Sequence, residues 1–115
     1  MKYMLAIYTD ETDLAEMTDE ARGAMYAEYA TFAEDMGRRG MMIDGAELRP
    51  TTAATTVRVR DGRPLVTDGP FAETKEQLGG YFVLDCESID DAIEAAGRIP
   101  SARNGSIEVR PLVER

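Results

Sequence analysis

The sequence predicts an α+β domain in which two helices cover one face of a four-stranded antiparallel sheet. Three observations lead to this prediction: short apolar segments near both ends of the chain, two amphipathic segments with helix caps, and a β-hairpin signal between them. The 115 residues form one predicted domain, residues 1–115, and 43% of them are hydrophobic, as in ordinary globular cores.

The first predicted strand and the first predicted helix follow from an apolar run and from capping residues. Residues 2–8 are mostly apolar and carry two tyrosines and an isoleucine, which favours a buried strand. Residues 9–17 are polar and acidic, so we predict a loop there. Thr18 is a good N-cap, and apolar residues recur at helical spacing after it. Arg39 closes the last turn, and Gly40 suits the left-handed conformation that follows a helix.

The middle of the chain predicts three strands. Residues 41–48 form a strand that Asp44-Gly45 interrupts with a bulge. Residues 55–60 alternate in polarity, as a half-exposed strand does, and Asp61-Gly62 is a two-residue hairpin signal. Residues 64–67 form the returning strand of this hairpin.

The last third of the chain predicts a strand, a helix and a strand. Residues 78–86 are a strongly predicted strand, in which Gly79-Gly80 indicates the close approach of another backbone segment. Ser88 caps the second helix, which Pro100 ends. Residues 107–112 form the last strand.

This order of elements corresponds to a ferredoxin-like βαββαβ plan with an inserted β-hairpin at residues 55–67. Two helices cover one face of such a sheet, and no third helix is predicted for the other face. We therefore expect a homodimer in which two sheets pack face to face as a dimeric α+β barrel. Association also helps a small domain, which buries a modest fraction of its own surface.

The composition limits the classes of function. The chain has 13 basic and 22 acidic residues, a formal charge of −9, which argues against direct nucleic-acid binding and against an anionic membrane surface. It has no histidine, the commonest general base and metal ligand. Its one cysteine, Cys86, is predicted to pack in the core because nothing nearby in sequence lowers its pKa. We expect a cytoplasmic protein with neither signal peptide nor membrane anchor, without metal or cofactor.

Residues 66–85 concentrate the side chains that suggest a site. Asp68-Gly69-Pro70 is typical of a turn that the aspartate caps, and Asp68 is also a candidate pocket carboxylate that accepts a proton or binds a cation. The charged residues that follow are either a solvated connection or part of the same pocket. The candidate pocket residues in this segment are Asp68, Gly69, Pro70, Phe71, Glu73 and Lys75.

Three further candidates lie on predicted strands. Tyr81 follows the diglycine, where tyrosine is most often a packing residue. Arg110 either pairs with a carboxylate such as Asp68 or Glu108, or holds an anionic ligand. Asp44 lies at the predicted bulge, and a bulge beside a pocket re-aims a side chain.

Residues 66–71, followed by Glu73, Lys75 and Gly79-Gly80-Tyr81, resemble the YCII-related family, and more narrowly its subgroup with an Asp-Gly-Pro-Phe (DGPF) motif. The opening MKYMLAIY and residues 90–111 are similar too, so the resemblance covers nearly the whole chain. It implies a dimeric α+β barrel of ferredoxin-like subunits with a pocket near the sheet surface. Some family members carry a His–Asp pair suggestive of an enzyme, which this chain lacks. Genes of members with this motif often neighbour those of extracytoplasmic-function sigma factors, which implies a functional link to a sigma factor.

Three hypotheses of function remain open. The first is a small dimeric binding or regulatory-accessory protein with a small-molecule pocket near the Asp-Gly-Pro-Phe motif. The second is a metal-independent enzyme using carboxylate and tyrosine acid–base chemistry, and the third is a structural protein–protein interaction module. The sequence lacks serine-nucleophile, phosphate-loop and zinc motifs, which disfavours the second. The motif around Asp68 disfavours the third, so we favour the first.

Overall fold

The structure is a computed structural model that describes residues 1–115, with six β-strands and three α-helices. The strands are β1 (Lys2–Thr9), β2 (Met42–Glu47), β3 (Thr55–Arg60), β4 (Arg63–Asp68), β5 (Gln77–Asp85) and β6 (Ser106–Pro111). The helices are α1 (Glu11–Glu16), α2 (Asp19–Arg38) and α3 (Ile89–Arg98). None of these helices combines the length and the apolar character needed to cross a bilayer.

Four strands form one antiparallel sheet in the order β2-β5-β1-β6. Helix α2 connects β1 to β2 and α3 connects β5 to β6, and in each case one strand lies between the two that are joined. This arrangement is consistent with the predicted ferredoxin-like α+β fold. Strands β3 and β4 pair with each other in a separate two-stranded sheet. Their connecting residues Asp61 and Gly62 have φ of 52° and 73°, as a two-residue hairpin turn requires.

The core lies between the four-stranded sheet and the helices α2 and α3. Alternate residues of β1, namely Tyr3, Leu5 and Ile7, are buried on the helix side, which fixes the register of the strand. Phe32 and Met36 of α2 pack onto them. The remaining members of this buried cluster are Leu84, Cys86, Ala92, Ala95, Ala96 and Ile99.

Cys86 has the packing role that its sequence context predicted. Its side chain belongs to the core cluster and is 3% exposed. Burial raises the pKa of the thiol, and the nearby carboxylates of Asp91 and Asp85 raise it further. A thiol in these surroundings stays protonated and is a poor nucleophile.

The predicted caps of the two longer helices are confirmed. Thr18 Oγ1 accepts a hydrogen bond from the amide of Ala21 at 3.1 Å, and Ser88 Oγ accepts one from the amide of Asp91 at 3.4 Å. Gly40 follows α2 with φ of 71°, in the left-handed region. The strand boundaries lie within one residue of the predicted ones.

The prediction of a loop at residues 9–17 was wrong, because this segment contains α1. Asp10 caps the helix: its carboxylate accepts hydrogen bonds from the amide and the hydroxyl of Thr12 at 3.0 and 2.7 Å. The helix has six residues and buries none of them, so the sequence offers no apolar periodicity to reveal it. Glu11 ties it to the rest of the chain, since its carboxylate accepts from the amide and hydroxyl of Thr51 at 2.7 and 2.8 Å.

An ion-pair cluster joins the carboxyl-terminal ends of α2 and α3. The carboxylate of Asp35 lies 2.7 Å from Arg98 and 3.3 Å from Arg38. The hydrogen bond from Arg98 is the main cause that lowers the pKa of Asp35 below its usual value of 3.8. A carboxyl whose pKa is lower in the folded chain stabilises the fold above its unfolded pKa. That contribution is lost as the pH falls through the folded pKa.

We expect Asp35→Asn to reduce the free energy of unfolding near neutral pH, and we expect this deficit to shrink progressively as the pH falls below about 4. Denaturant unfolding of both proteins at about pH 7 and about pH 3 measures the difference. Glu34→Gln is the matched control, because Glu34 is exposed and belongs to no ion pair. A deficit of the same size at both pH values would show that the carboxylate charge is not its source.

Candidate functional site

The sheet face opposite α2 and α3, here called the open face, is covered by neither helix. Because Tyr3, Leu5 and Ile7 face the helices, the alternating residues of β1 face the other way. The strand register extends this assignment to the neighbouring strands. The open face includes Met4, Ala6, Tyr8, Asp44, Ala46, Leu78, Tyr81, Val83, Ser106, Glu108 and Arg110.

Tyr81 and Asp44 form a hydrogen-bonded pair on the open face. The Tyr81 hydroxyl donates to Asp44 Oδ2 at 3.2 Å, while Asp44 Oδ1 accepts from the amide of Gly45 at 2.8 Å. The register of β2 shifts between Met42 and Asp44, so the predicted bulge is confirmed. The hydrogen bond to the carboxylate raises the pKa of Tyr81. At neutral pH this hydroxyl keeps its proton and donates it to Asp44, so its oxygen can accept a hydrogen bond from a ligand.

Arg110 forms an ion pair within its own strand. Its guanidinium donates to Glu108 Oε2 at 2.6 Å, so of the two carboxylates proposed from sequence the structure pairs it with Glu108 and not with Asp68. The two residues lie two apart on β6 and share the open face. This pairing raises the pKa of Arg110. An anionic ligand at this position has to compete with Glu108 for the guanidinium.

The close approach of β2 to β5 depends on glycine. A Cβ at Gly80 would lie 2.8 Å from the carbonyl oxygen of Ala46. A Cβ at Gly45 would lie 2.6 Å from the ring of Phe82. At Gly79 the nearest atom is 3.8 Å away, so the close approach predicted for the diglycine is confirmed at Gly80 and wrong at Gly79. The close pairing of these strands brings the residues of the Tyr81–Asp44 pair together.

The Asp-Gly-Pro-Phe segment closes the base of the β3–β4 hairpin. Gly69 has φ of 98°, and its amide donates to the carbonyl of Ala54 at 2.7 Å. Its carbonyl accepts from Thr56 Oγ1 at 2.7 Å. Asp68 pairs with Thr55 in the strand register, but its carboxylate makes no hydrogen bond within the chain, so it is not the predicted turn cap. Main-chain groups and Thr56 hold this turn instead.

A shallow depression of about 410 Å³ adjoins the same segment. Three candidates from the sequence, Gly69, Pro70 and Glu73, line it. The first residue of β5, Gln77, also lines it. Phe71 lies outside the lining and is 80% exposed.

The structure thus separates the candidate residues into two groups. Gly69, Pro70 and Glu73 surround the depression, whereas Asp44, Tyr81 and Arg110 lie on the open face. Asp68, Phe71 and Lys75 belong to neither group. Strand β5 connects the two groups, because Gln77 and Tyr81 are four residues apart, about 13 Å along a strand. Nowhere in the structure do three or more acidic or cysteine side chains come close enough to hold a metal ion.

Sequence reasoning did not single out two residues that belong to these surfaces. Tyr8 lies on the open face, and strict alternation along the first strand would have placed it there. Gln77 Nε2 donates to the carbonyl of Thr74 at 2.7 Å, and its Oε1 accepts from the amide of Glu11 at 3.1 Å. Gln77 therefore joins the depression to α1, a link for which the sequence carries no local signal.

We expect Asp44→Asn to lower the pKa of Tyr81 toward its ordinary value of 10.0, because a neutral amide no longer opposes formation of the phenolate. An absorbance titration of phenolate formation measures this as a shift of one tyrosine step. Tyr81→Phe is the control that removes the step and so identifies it. Identical titration curves for the wild type and Asp44→Asn would contradict the Tyr81–Asp44 pair.

Comparisons with known proteins cover the full length of this chain. Residues 1–115 match the family model described as the YCII-related domain. A protein of Rhizobium meliloti (strain 1021), named as an uncharacterized protein, is 39% identical over 114 residues, which cover 97% of this chain and 92% of that protein. Both the match to the family model and this similarity extend over both candidate surfaces. The chain belongs to the YCII-related family.

Proposed function

We propose that this chain is a small homodimeric protein that binds a small molecule on the open face, which strand β5 connects to the Asp-Gly-Pro-Phe segment. In this proposal a second subunit covers the open face, the two sheets form a dimeric α+β barrel, and the β3–β4 hairpin is an insertion into the βαββαβ plan. The observation that carries the proposal is the set of polar side chains formed by Tyr81, Asp44 and Arg110 on a sheet face that neither long helix covers.

The surface area of the chain supports a dimer. Its accessible surface is 7916 Å², whereas a compact monomer of this mass exposes about 6,200 Å². The excess of about 1,700 Å² is roughly twice the 800 Å² that one partner contributes to a standard interface. A face-to-face dimer would use part of this surface and would exclude water from the open face.

The side chains of the open face define the kind of ligand. Arg110 supplies hydrogen-bond donors beyond the one given to Glu108, while Asp44 and the Tyr81 oxygen supply acceptors. Tyr8 adds a half-exposed aromatic ring. This combination suits a small polar molecule with hydrogen-bond acceptors and a planar part.

The resemblance to family members with the Asp-Gly-Pro-Phe motif supports one further part of the proposal. In it, the protein acts in the cytoplasm as an accessory to sigma-factor-linked regulation.

The Tyr81–Asp44 pair also supports a second candidate function, that of a metal-independent enzyme. In that case the protonated Tyr81 hydroxyl is the general acid at neutral pH, although the hydrogen bond to Asp44 raises its pKa and so makes it a weaker acid. The base would then be Asp44, the carboxylate that shares the open face with Tyr81.

A thermal-shift screen of small polar metabolites tests the proposal, because a ligand that binds the native state raises its apparent stability. We expect a hit whose stabilisation is lost in Tyr81→Phe and in Asp44→Asn. Asp68→Asn reports separately on the motif, since it removes the charge of Asp68 and keeps its shape. A ligand bound equally well by the wild type, Tyr81→Phe and Asp44→Asn would contradict the open-face site. Equal affinity of the wild type and Asp68→Asn would exclude Asp68 from the pocket.

A further inference from the structure

We infer that the β3–β4 hairpin is an arm that docks its apolar face on the body of a second copy of this chain. The arm comprises residues 55–68, and its apolar face consists of Val57, Val59, Pro64 and Val66. The inference rests on the dimer of the proposed function. It adds a contact that the face-to-face packing of two sheets does not require.

The arm has few contacts with the rest of its own chain. Strands β3 and β4 pair with each other and with no strand of the larger sheet. Every residue of the two strands and their turn is exposed except Thr56, which is half-buried. A two-stranded hairpin on its own is at best marginally stable in water. A partner surface packed against one face of the hairpin would supply stability that contacts with its own chain do not.

The two faces of the arm differ in what covers them. On one face, Thr56 Oγ1 donates to the carbonyl of Gly69, and the Arg58 guanidinium donates to the carbonyl of Phe71 at 3.4 Å. The Asp-Gly-Pro-Phe segment therefore lies against this face.

The apolar face of the arm is bare. Val57 pairs with Val66, and Val59 pairs with Pro64, so the four side chains form one continuous patch. The three valines are 59%, 66% and 62% exposed in the order Val57, Val66, Val59. Contiguous apolar patches on a soluble protein mark interaction sites.

Charge favours the body of a second copy as the partner. Residues 55–68 carry three arginines and two aspartates, whereas the rest of the chain carries ten basic and twenty acidic residues. The three arginines lie on the face opposite the valines, so the charge difference acts at longer range, attracting the arm to an acidic body and repelling a second arm. The partner of the arm is therefore an acidic surface, which every copy of this chain carries.

The elongated shape of the molecule favours a contact between two copies over a contact of the arm with its own chain. Its radius of gyration is 16.0 Å and its extents are 48 × 44 × 19 Å, whereas a compact domain of this length has a radius of gyration of about 13 Å. Together with the separate sheet that β3 and β4 form, this elongation indicates that the arm extends away from its own body. The excess surface of about 1,700 Å² also exceeds the share of one partner in a standard interface, which leaves area for the arm beyond the open face.

The test compares dimer dissociation constants measured by sedimentation equilibrium. The double variant Val57→Thr, Val66→Thr makes a cross-strand pair of the apolar face polar and keeps the branched shape that strands prefer. Leu65→Thr is the matched control, because Leu65 lies on the opposite face of the same arm and is 52% exposed. We expect the dissociation constant to rise at least about tenfold in the double variant and to change less than about twofold in the control.

Amide hydrogen exchange of the wild type supplies a readout that needs no substitution. We expect the arm amides to exchange more slowly at concentrations above the dimer dissociation constant than below it. Equal constants for the wild type and the double variant, or arm exchange that does not depend on concentration, would overturn the arm contact while leaving the dimer in place. An arm that binds a different protein would also give equal dimer dissociation constants and arm exchange that does not depend on the concentration of this chain. A wild-type chain that is monomeric at every concentration would overturn the arm contact together with the dimer of the proposed function.

Discussion

Gly80→Ala should destabilise the protein by about 1–3 kcal/mol, the usual cost of overpacking. The added Cβ would lie 2.8 Å from the carbonyl oxygen of Ala46 and 3.4 Å from the Cα of Glu47. Both are backbone atoms of β2, so they cannot move away by a rotamer change, and β2 has to shift from β5. Because Tyr81 and Asp44 lie on these two strands, the same shift should weaken their hydrogen bond.

Gly79→Ala is the matched control for this substitution. The nearest atom to its added Cβ is 3.8 Å away, an ordinary van der Waals distance, and φ is not positive. We expect a change within about 0.5 kcal/mol, as for surface substitutions without a specific clash. Denaturant unfolding of the two variants measures the comparison. Equal stability of both variants would mean that β2 and β5 are not paired as closely as the structure has them.

Met4→Lys should separate the proposed dimer with little effect on the fold of the single chain. Met4 is half-buried on the open face, opposite Val83 on one side and Arg110 on the other. In a monomer the lysine would extend into water. In a two-fold dimer, two unpaired lysines would be buried near the interface beside Arg110, which costs several kcal/mol. We expect the dimer dissociation constant to rise by about two orders of magnitude or more.

The control for Met4→Lys is Ala30→Lys, which adds the same charge to an exposed position of α2. Light scattering measures the mass of both variants, and circular dichroism confirms that they fold. The comparison distinguishes an interface on the open face from one on the helix side. Dissociation by Ala30→Lys and not by Met4→Lys would place the interface on the helix side of the sheet.

Much of the fold could be predicted because its signals are local. Thr18, Ser88 and Gly40 stand where helix ends need them, and Asp61-Gly62 supplies the two positive φ values of the hairpin turn. Helix α1 could not be predicted, because a short exposed helix carries no apolar stripe and depends on Asp10 and on a long-range contact with Thr51. Long-range contacts of that kind leave no trace in a window of neighbouring residues.

The candidate site was predictable in part for the same reason. The bulge at Asp44 has a local signature, and it lets Asp44 meet Tyr81 across the strands. The separation of this pair from the lining of the depression depends on the strand register, which only the tertiary structure sets. A carboxylate in a turn predicts a cap, and on that ground Asp68 was expected to cap its turn. Main-chain atoms and Thr56 close that turn instead, so the predicted cap role of Asp68 is wrong.

The mass of the wild-type protein in solution tests the central claim most directly, because the proposed ligand site requires a second subunit over the open face. Size-exclusion chromatography with light scattering at micromolar concentration should give twice the 12.7 kDa of the single chain. A mass of one chain across the micromolar range would contradict the dimer and leave the open face exposed to water.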